Sequence, residues 1–167
     1  MAATASFDVS TGADLQEVDN AVNQALKEVA QRYDFKGTHC TIEFDRAKAE
    51  IRLAADDEFR MDALLDILQT RMIKRGVPVK NLKIGDLVPA TGQSVRRSVS
   101  LTQGIPADVA KKIVRAIKDG GFKKATGSIQ GDEVRVSSPS KDELQAVMAH
   151  LRGQDFGVEL RFGNYRG

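Results

Sequence analysis

The sequence predicts an α+β protein made of two copies of one folding unit. The order strand, helix, strand, strand, helix, strand is read once over residues 7–88 and again over 94–163. Residues 89–93, with the sequence PATGQ, have the composition of a linker. This element order gives a four-stranded antiparallel sheet with both helices on one face, the ferredoxin-like arrangement. We therefore predict a first unit at 1–91 and a second at 92–167.

The first copy is read as strands where apolar and polar residues alternate, and as helices where apolar residues recur at helical spacing. Capping signals stand before both helices: Thr11 with Asp14 before the first, and Asp56 or Asp57 before the second. The predicted elements are a strand at 7–10, a helix from 15 to about 32, a hairpin of 38–44 with 50–53, a helix that Gly76 ends, and a weak strand within 80–88.

The second copy repeats this pattern with stronger turn signals. Pro106 is preset for the first position of a helix, and Gly120 with Gly121 ends that helix. Ser140 with Glu143 forms a capping box before the last helix. The predicted elements are a strand at 95–101, a helix at 106–119, a hairpin of 125–130 with 133–137, a helix from about 140 to 151, and a strand at 158–162.

Composition excludes several classes of protein. No apolar run approaches the roughly 20 residues that a membrane-spanning helix needs. The first residues, MAATASF, carry neither a basic start nor an apolar stretch, so no secretory signal is predicted. Cys40 is the one cysteine and cannot form an internal disulfide, which fits a reducing compartment. We expect a cytoplasmic protein with no membrane partner.

Charge is distributed unevenly along the chain. Residues 1–88 hold 12 Lys and Arg against 15 Asp and Glu, a net charge of −3, whereas residues 89–167 hold 13 against 8, a net charge of +5. The second copy is therefore the one expected to attract an anion. The alternative, a chance drift in the charge of solvated faces, stays open.

Base stacking is predicted in a turn, not on the sheets. Neither open sheet face carries an aromatic residue, and the aromatic RNA-binding motif of this topology is missing. Tyr33 and Phe35 lie beside Arg32 and Lys36, so a base could stack on a ring while a cation meets its phosphate. The alternative is that Phe35 fills the gap where the first helix leaves the sheet.

Enzymatic signatures are missing from the sequence. His39 and Cys40 are neighbours on opposite faces of a predicted strand, so they cannot share a metal ion, and Cys40 points into the core. No phosphate loop and no dinucleotide fingerprint are present. The basic residues of the helix at 106–119, with Lys123 and Lys124 just after it, form either a solvated face or a phosphate site. We expect no catalysis, no metal and no cofactor.

Several segments follow one another along nearly the whole chain: Ser6–Asp8, Arg32–Gly37, Gln103–Ile105, Ala110–Val114, and Ile129–Asp132 followed by Val134–Val136. In this order they resemble the YajQ family of bacterial nucleotide-binding proteins. The resemblance implies two tandem ferredoxin-like units and leaves open whether their first strands are exchanged. It implies nucleotide binding without catalysis. For several members it also implies reception of cyclic di-GMP and action through transcription regulators of the LysR type.

Residues and resemblance together give one leading hypothesis and two rivals. The leading hypothesis is a non-enzymatic effector that binds cyclic di-GMP, or else GTP or ATP, and alters its binding to a protein or DNA partner. The predicted ligand contacts are Arg32, Phe35, Lys36, Gln103, Lys111 and Arg135. The first rival is an RNA or tRNA binding protein, whose affinity would fall steeply with salt. The second is an interaction module that pairs through an exposed strand edge.

Overall fold

The computed structural model describes residues 4–167 and contains two antiparallel sheets with four helices. Its elements, in chain order, are β1 Ala5–Ser10, α1 Leu15–Gln31, β2 Thr41–Asp45, β3 Glu50–Ala55, α2 Glu58–Lys74, β4 Leu82–Ile84, β5 Val88–Pro89, β6 Val95–Leu101, α3 Ala107–Asp119, β7 Thr126–Gln130, β8 Glu133–Ser138, α4 Lys141–Arg152 and β9 Arg161–Arg166. The predicted fold class, two ferredoxin-like units, is confirmed. None of the helices between residues 4 and 167 has the length and apolar character needed to cross a bilayer.

The first strands of the two copies are exchanged. One sheet has the order β7-β8-β1-β9, and the other has the order β2-β3-β6-β4 with β5 also paired to β6. Contacts accordingly group residues 13–102 into one unit, the continuous unit, and residues 4–12 with 103–167 into another, the composite unit. This grouping differs from the predicted division at residue 91 because β1 and β6 each leave the copy in which they stand in the sequence.

Each unit has its own core between one sheet face and two helices. In the continuous unit Ile51 and Val99 face Leu64 and Leu68 of α2, and all four are buried. In the composite unit Phe7 on β1 lies in a second core cluster with Val9, Ile113, Ile117, Val134, Val136, Leu144 and Leu151. Since successive strand residues point to opposite faces, the other residues of each strand lie on the sheet face that points away from the two helices of that unit.

The helices α1, α2 and α4 begin after capping residues that the sequence predicted, with one correction at Thr11. Asp14 is the N-cap of α1, and its Oδ1 accepts from Gln16 N at 2.9 Å. Thr11, predicted as part of this cap, instead donates its hydroxyl to the carbonyl of Glu159, so the predicted pair at the start of α1 is wrong. Asp57 caps α2 through the amide of Arg60, and Ser140 caps α4 through the amide of Glu143 at 3.2 Å.

Three strand boundaries also differ from the prediction. The hairpin strand β2 begins at Thr41 and not at residue 38, because residues 36 and 37 continue the preceding turn and pairing with β3 begins at Thr41. The predicted strand within 80–88 is divided into β4 and β5, which both pair with β6. The last strand lies at 161–166 and not at 158–162, since Val158 is buried in the core ahead of the ladder. Alternation alone gave the apolar side of these segments but not where pairing begins.

Candidate functional site

The composite unit carries a basic groove between helix α3 and edge strand β7, which we call the α3 groove. Its cavity measures about 570 Å³ and is lined by Lys111, Lys112, Val114, Arg115, Lys118, Asp119 and Ile129. A Cβ placed on Gly127 of β7 would come within 3.1 Å of Ile117 Cδ1 and 3.5 Å of Val114 Cγ2. The glycine therefore lets α3 lie close to the strand, which brings the outer side of the helix to the sheet edge.

The cations of the α3 groove follow from the amphipathic pattern of the helix. Val109, Ile113 and Ile117 face the core. Lys111, Arg115 and Lys118 follow one another at spacings of four and three residues, so they lie along one side of the helix. This row we call the cation row.

None of the three side chains of the cation row forms an ion pair within residues 4–167, and one acid, Asp119, lines the same groove. Adjacent unpaired cations give a positive local potential that favours an anionic ligand. The guanidinium of Arg115 can bind a phosphate through two parallel hydrogen bonds, whereas the lysines act as point charges. Ile129 is 45% exposed and adds an apolar wall. The groove can thus hold phosphate groups and contact a ring or sugar beside them.

Lys111 is the one predicted ligand contact that lines the α3 groove. Arg135 belongs to the same unit but lies on the other face of the sheet, since its neighbours Val134 and Val136 point into the core. Gln103 precedes α3, and its carbonyl oxygen lies 3.1 Å from the place that a Cβ on Gly12 would take. The structure therefore does not bring Lys111 and Arg135 together.

Arg135 is engaged by a nearly buried carboxylate. Its Nε donates to Asp8 Oδ1 at 3.0 Å, and Asn164 Nδ2 donates to Asp8 Oδ2 at 2.6 Å. Asp8 is 6% exposed. The hydrogen bond from Arg135, followed by that from Asn164, lowers the pKa of Asp8 against the opposing effect of burial. Arg135 is thus anchored to the sheet through its Nε.

The other predicted contacts lie in the continuous unit, in the single turn that follows α1. Phe35 is 5% exposed and packs in the core, whereas Tyr33 is 88% exposed. A buried ring cannot offer its face to a base, so the structure supports the alternative reading of Phe35 as a core residue. The exposed ring of this turn is the tyrosine. The sequence does not distinguish the two rings, because both stand between cations.

The cations of that turn differ in how free they are. Arg32 Nη2 lies 2.7 Å from Asp34 Oδ2 and Arg32 Nε donates to Oδ1 at 3.0 Å, so the pair is bidentate. This pairing raises the pKa of Arg32 and lowers that of Asp34, which is exposed. Lys36 is exposed. Of the two predicted cations, Arg32 is already neutralised by a neighbouring carboxylate.

Sequence reasoning missed a second concave surface, on the open sheet face of the continuous unit. Two cavities of about 330 and 450 Å³ share Ala54 and Arg96 in their walls. Arg96 is exposed and has no ion pair among the described residues, while neighbouring Arg52 contacts Asp45 at 3.3 Å and Glu50 at 3.2 Å. The exchange of β6 brings Arg96 onto this sheet, and no local pattern predicts that exchange.

Metal-binding side chains are dispersed over the part of the chain that the structure describes. Between residues 4 and 167 no three His, Cys, Asp or Glu side chains are grouped so that they could hold a metal ion. Cys40 is partly buried and packs against the core of the continuous unit.

Comparison with known proteins gives one consistent result. A family model described as nucleotide-binding protein YajQ-like matches residues 5–166. A protein of Chloroherpeton thalassium, named nucleotide-binding protein, is 48% identical over 166 residues, which is 99% of this chain and 100% of the relative. Relatives of the same name from Acidithiobacillus ferrooxidans and Elusimicrobium minutum are each 47% identical over 161 residues, 96% of this chain and 98% of theirs. The chain belongs to the YajQ-like family of nucleotide-binding proteins.

Proposed function

We propose that the chain binds a nucleotide in the α3 groove and acts as a non-enzymatic effector. The observation that carries this proposal is the cation row, three positive side chains that form no ion pair within residues 4–167 and lie beside an apolar wall. The relatives of this chain are named nucleotide-binding proteins, and phosphate is the group that all nucleotides share. The cations would hold phosphate oxygens, while Ile129 would contact the base or the ribose.

Among nucleotides we propose cyclic di-GMP first, followed by GTP and ATP. The cation row extends from Lys111 to Lys118, about two helical turns or roughly 10 Å along the axis. Cations distributed over that length suit a ligand with two separated phosphates, since each phosphate can meet its own side chain. The protein partner that responds to the ligand would be a transcription regulator of the LysR type, as the family resemblance implies.

Isothermal titration with cyclic di-GMP, GTP and ATP tests the proposal. The double variant Lys111→Ala with Arg115→Ala removes two adjacent cations, and we expect its affinity to fall at least about tenfold, because a hydrogen bond to a charged group contributes about 1.5–3 kcal/mol. The matched control is Lys27→Ala with Lys48→Ala, which removes two exposed lysines of the continuous unit. Unchanged affinity in the first variant, or no heat with any of the three nucleotides, would refute the assignment.

The remaining predicted contacts are tested one at a time in the same titration. Lys36→Ala and Gln103→Ala remove contacts that lie outside the α3 groove, and a loss of affinity in either would extend the ligand beyond it. Arg32 and Arg135 are already paired with Asp34 and Asp8, so we expect Arg32→Ala and Arg135→Ala to change nucleotide affinity less than Lys111→Ala does.

RNA binding is the second candidate, favoured by the same cation row because RNA also presents phosphates. A polyanion that releases counterions from several phosphates loses affinity steeply as salt rises, whereas a dinucleotide contacts few cations and loses less. Titration of a short single-stranded RNA and of cyclic di-GMP at two salt concentrations separates the candidates. Tighter binding of the RNA, with a steep salt dependence that the double variant reduces, would favour the second one.

A further inference from the structure

The four sheet edges of the chain differ in how they are protected against pairing. Natural proteins blunt exposed edge strands with charges, bulges or short length, because unpaired backbone groups accept another strand. In the continuous unit β2 carries Glu43 and Asp45, and β4 has three residues with Lys83 among them. In the composite unit β9 carries Arg161 and Arg166, and its register shifts along β1.

Edge strand β7 has none of these protections within its own length. Its sequence, Thr-Gly-Ser-Ile-Gln, contains no charge and no proline. Its pairing with β8 is regular from Thr126 to Gln130. Among the described residues no strand pairs with its outer side. The outward amide and carbonyl groups of β7 are therefore available to a further strand.

The surroundings of β7 define what kind of strand would fit. Ile129 lies opposite Val134, a core residue, so its half-exposed side chain is on the helix side of the sheet. The cation row lies on that same side, along the groove that Ile129 lines. A strand added here would direct alternate side chains toward α3, and those side chains would meet the cation row and Ile129.

We propose that β7 accepts an extended acidic segment of a protein partner as a fifth strand of the sheet. Main-chain hydrogen bonds to β7 would provide affinity, and acidic side chains on alternate positions would contact Lys111, Arg115 and Lys118. The cations also select against wrong partners, since a basic segment placed on the same edge meets like charges. The sequence of β7 does not itself prevent unwanted strand pairing. The cation row beside it would do so, because it repels basic segments and attracts acidic ones.

This proposal gives the nucleotide a way to act on a partner, a step that rests on the proposed function. A nucleotide in the α3 groove would occupy the same cations that the acidic strand needs. The two ligands therefore compete, and each lowers the affinity of the other by the same factor. Nucleotide binding would release the partner without any change in the fold.

The test uses the full chain and a fluorescent ten-residue peptide of alternating Glu and Val. A second peptide has Lys in place of Glu. A third keeps the Glu residues but carries N-methyl groups on amides of both of its edges, which removes the donors for strand pairing on either side. We expect anisotropy to show binding of the first peptide and not of the other two. We expect the affinity to fall at least about tenfold in Lys111→Glu with Arg115→Glu, because two charges are reversed. The control Lys27→Glu with Lys48→Glu makes the same change in net charge elsewhere.

Hydrogen exchange then distinguishes strand addition from attraction between charges. The first peptide should slow the exchange of alternate amides within 126–130. Binding that leaves those amides unprotected, or that the N-methylated peptide reproduces, overturns strand addition, as does failure of the first peptide to bind at millimolar concentration. Displacement of the bound peptide by cyclic di-GMP tests the competition separately. If the nucleotide itself fails to bind, the proposed function falls while strand addition is still decided by the peptide.

Discussion

The strand exchange can be tested in solution through one ion pair, Asp8 on β1 with Arg135 on β8. The two residues are 127 positions apart in sequence but lie opposite each other in the ladder, with Arg135 Nε 3.0 Å from Asp8 Oδ1. If β1 paired instead with β3 of its own copy, Asp8 would lie in the other sheet and this contact would be lost. The coupling energy between the two side chains therefore reports on the exchange.

The structure sets the size of that coupling. Asp8 accepts two hydrogen bonds, from Arg135 and Asn164, while it is 6% exposed, so Asp8→Ala should cost about 2–3 kcal/mol of the free energy of unfolding. The side chain of Arg135 is 34% exposed, and solvent screening reduces its share of the pair. Asn164 still bonds to Asp8 when Arg135 is removed. We expect a coupling energy of about 1 kcal/mol for the pair.

Urea unfolding of the wild type, Asp8→Ala, Arg135→Ala and the double variant measures the coupling at neutral pH. The control cycle pairs Asp8 with Arg52 of β3, which Asp8 would approach if the strands were not exchanged. Its coupling should be zero within about 0.3–0.5 kcal/mol. A coupling of zero between Asp8 and Arg135, or a larger one between Asp8 and Arg52, would refute the exchange.

Three further predictions concern the stability of the two units. Arg135 lowers the pKa of Asp8 in the folded state. The stability that this carboxylate contributes is therefore fully present above the ordinary carboxyl pKa of about 3.9 and is lost as pH falls through the lowered value. The urea midpoints of wild type and Asp8→Ala should converge below about pH 4. Phe35→Ala should cost about 3–5 kcal/mol in urea unfolding, because its ring is in the core, whereas Tyr33→Ala should stay within about 0.5 kcal/mol. Ser140→Ala removes the N-cap of α4 and should lower the free energy of unfolding by about 1 kcal/mol.

Most helices and strands could be predicted because their signals are local. The stripe of α2 and the cap at Ser140 depend on residues within a few positions of one another. The correction at Thr11 is different in kind, since its hydroxyl bonds to the carbonyl of Glu159, which is 148 positions away. The exchange of β1 and β6 is equally non-local. Both strands alternate apolar and polar residues, and that pattern fits either sheet.

A residue of the candidate site could be predicted from the sequence only where its side chain has no partner from a distant part of the chain. Lys111 belongs to a row of exposed cations on one helix, and such a row can be read from spacing alone. Arg135 looked equally free in the sequence, but the exchanged strand supplies Asp8 as its partner. Arg96 lines its cavities only because the first strands are exchanged, and the sequence leaves that exchange open.

The exchange also changes what the uneven charge of the sequence means. The two sequence halves differ by eight charges, −3 against +5. Grouped by contact, residues 103–167 with 4–12 hold 11 Lys and Arg against 9 Asp and Glu, a net charge of +2, and residues 13–102 hold 14 against 14. The units therefore differ by two charges, because Asp8 moves to the basic side while Arg96 and Arg97 move to the acidic one. Attraction of an anion to the composite unit must then come from the local cation row on α3 and not from the net charge of the unit. Charge reversal at Lys111 and Arg115 should therefore abolish that attraction.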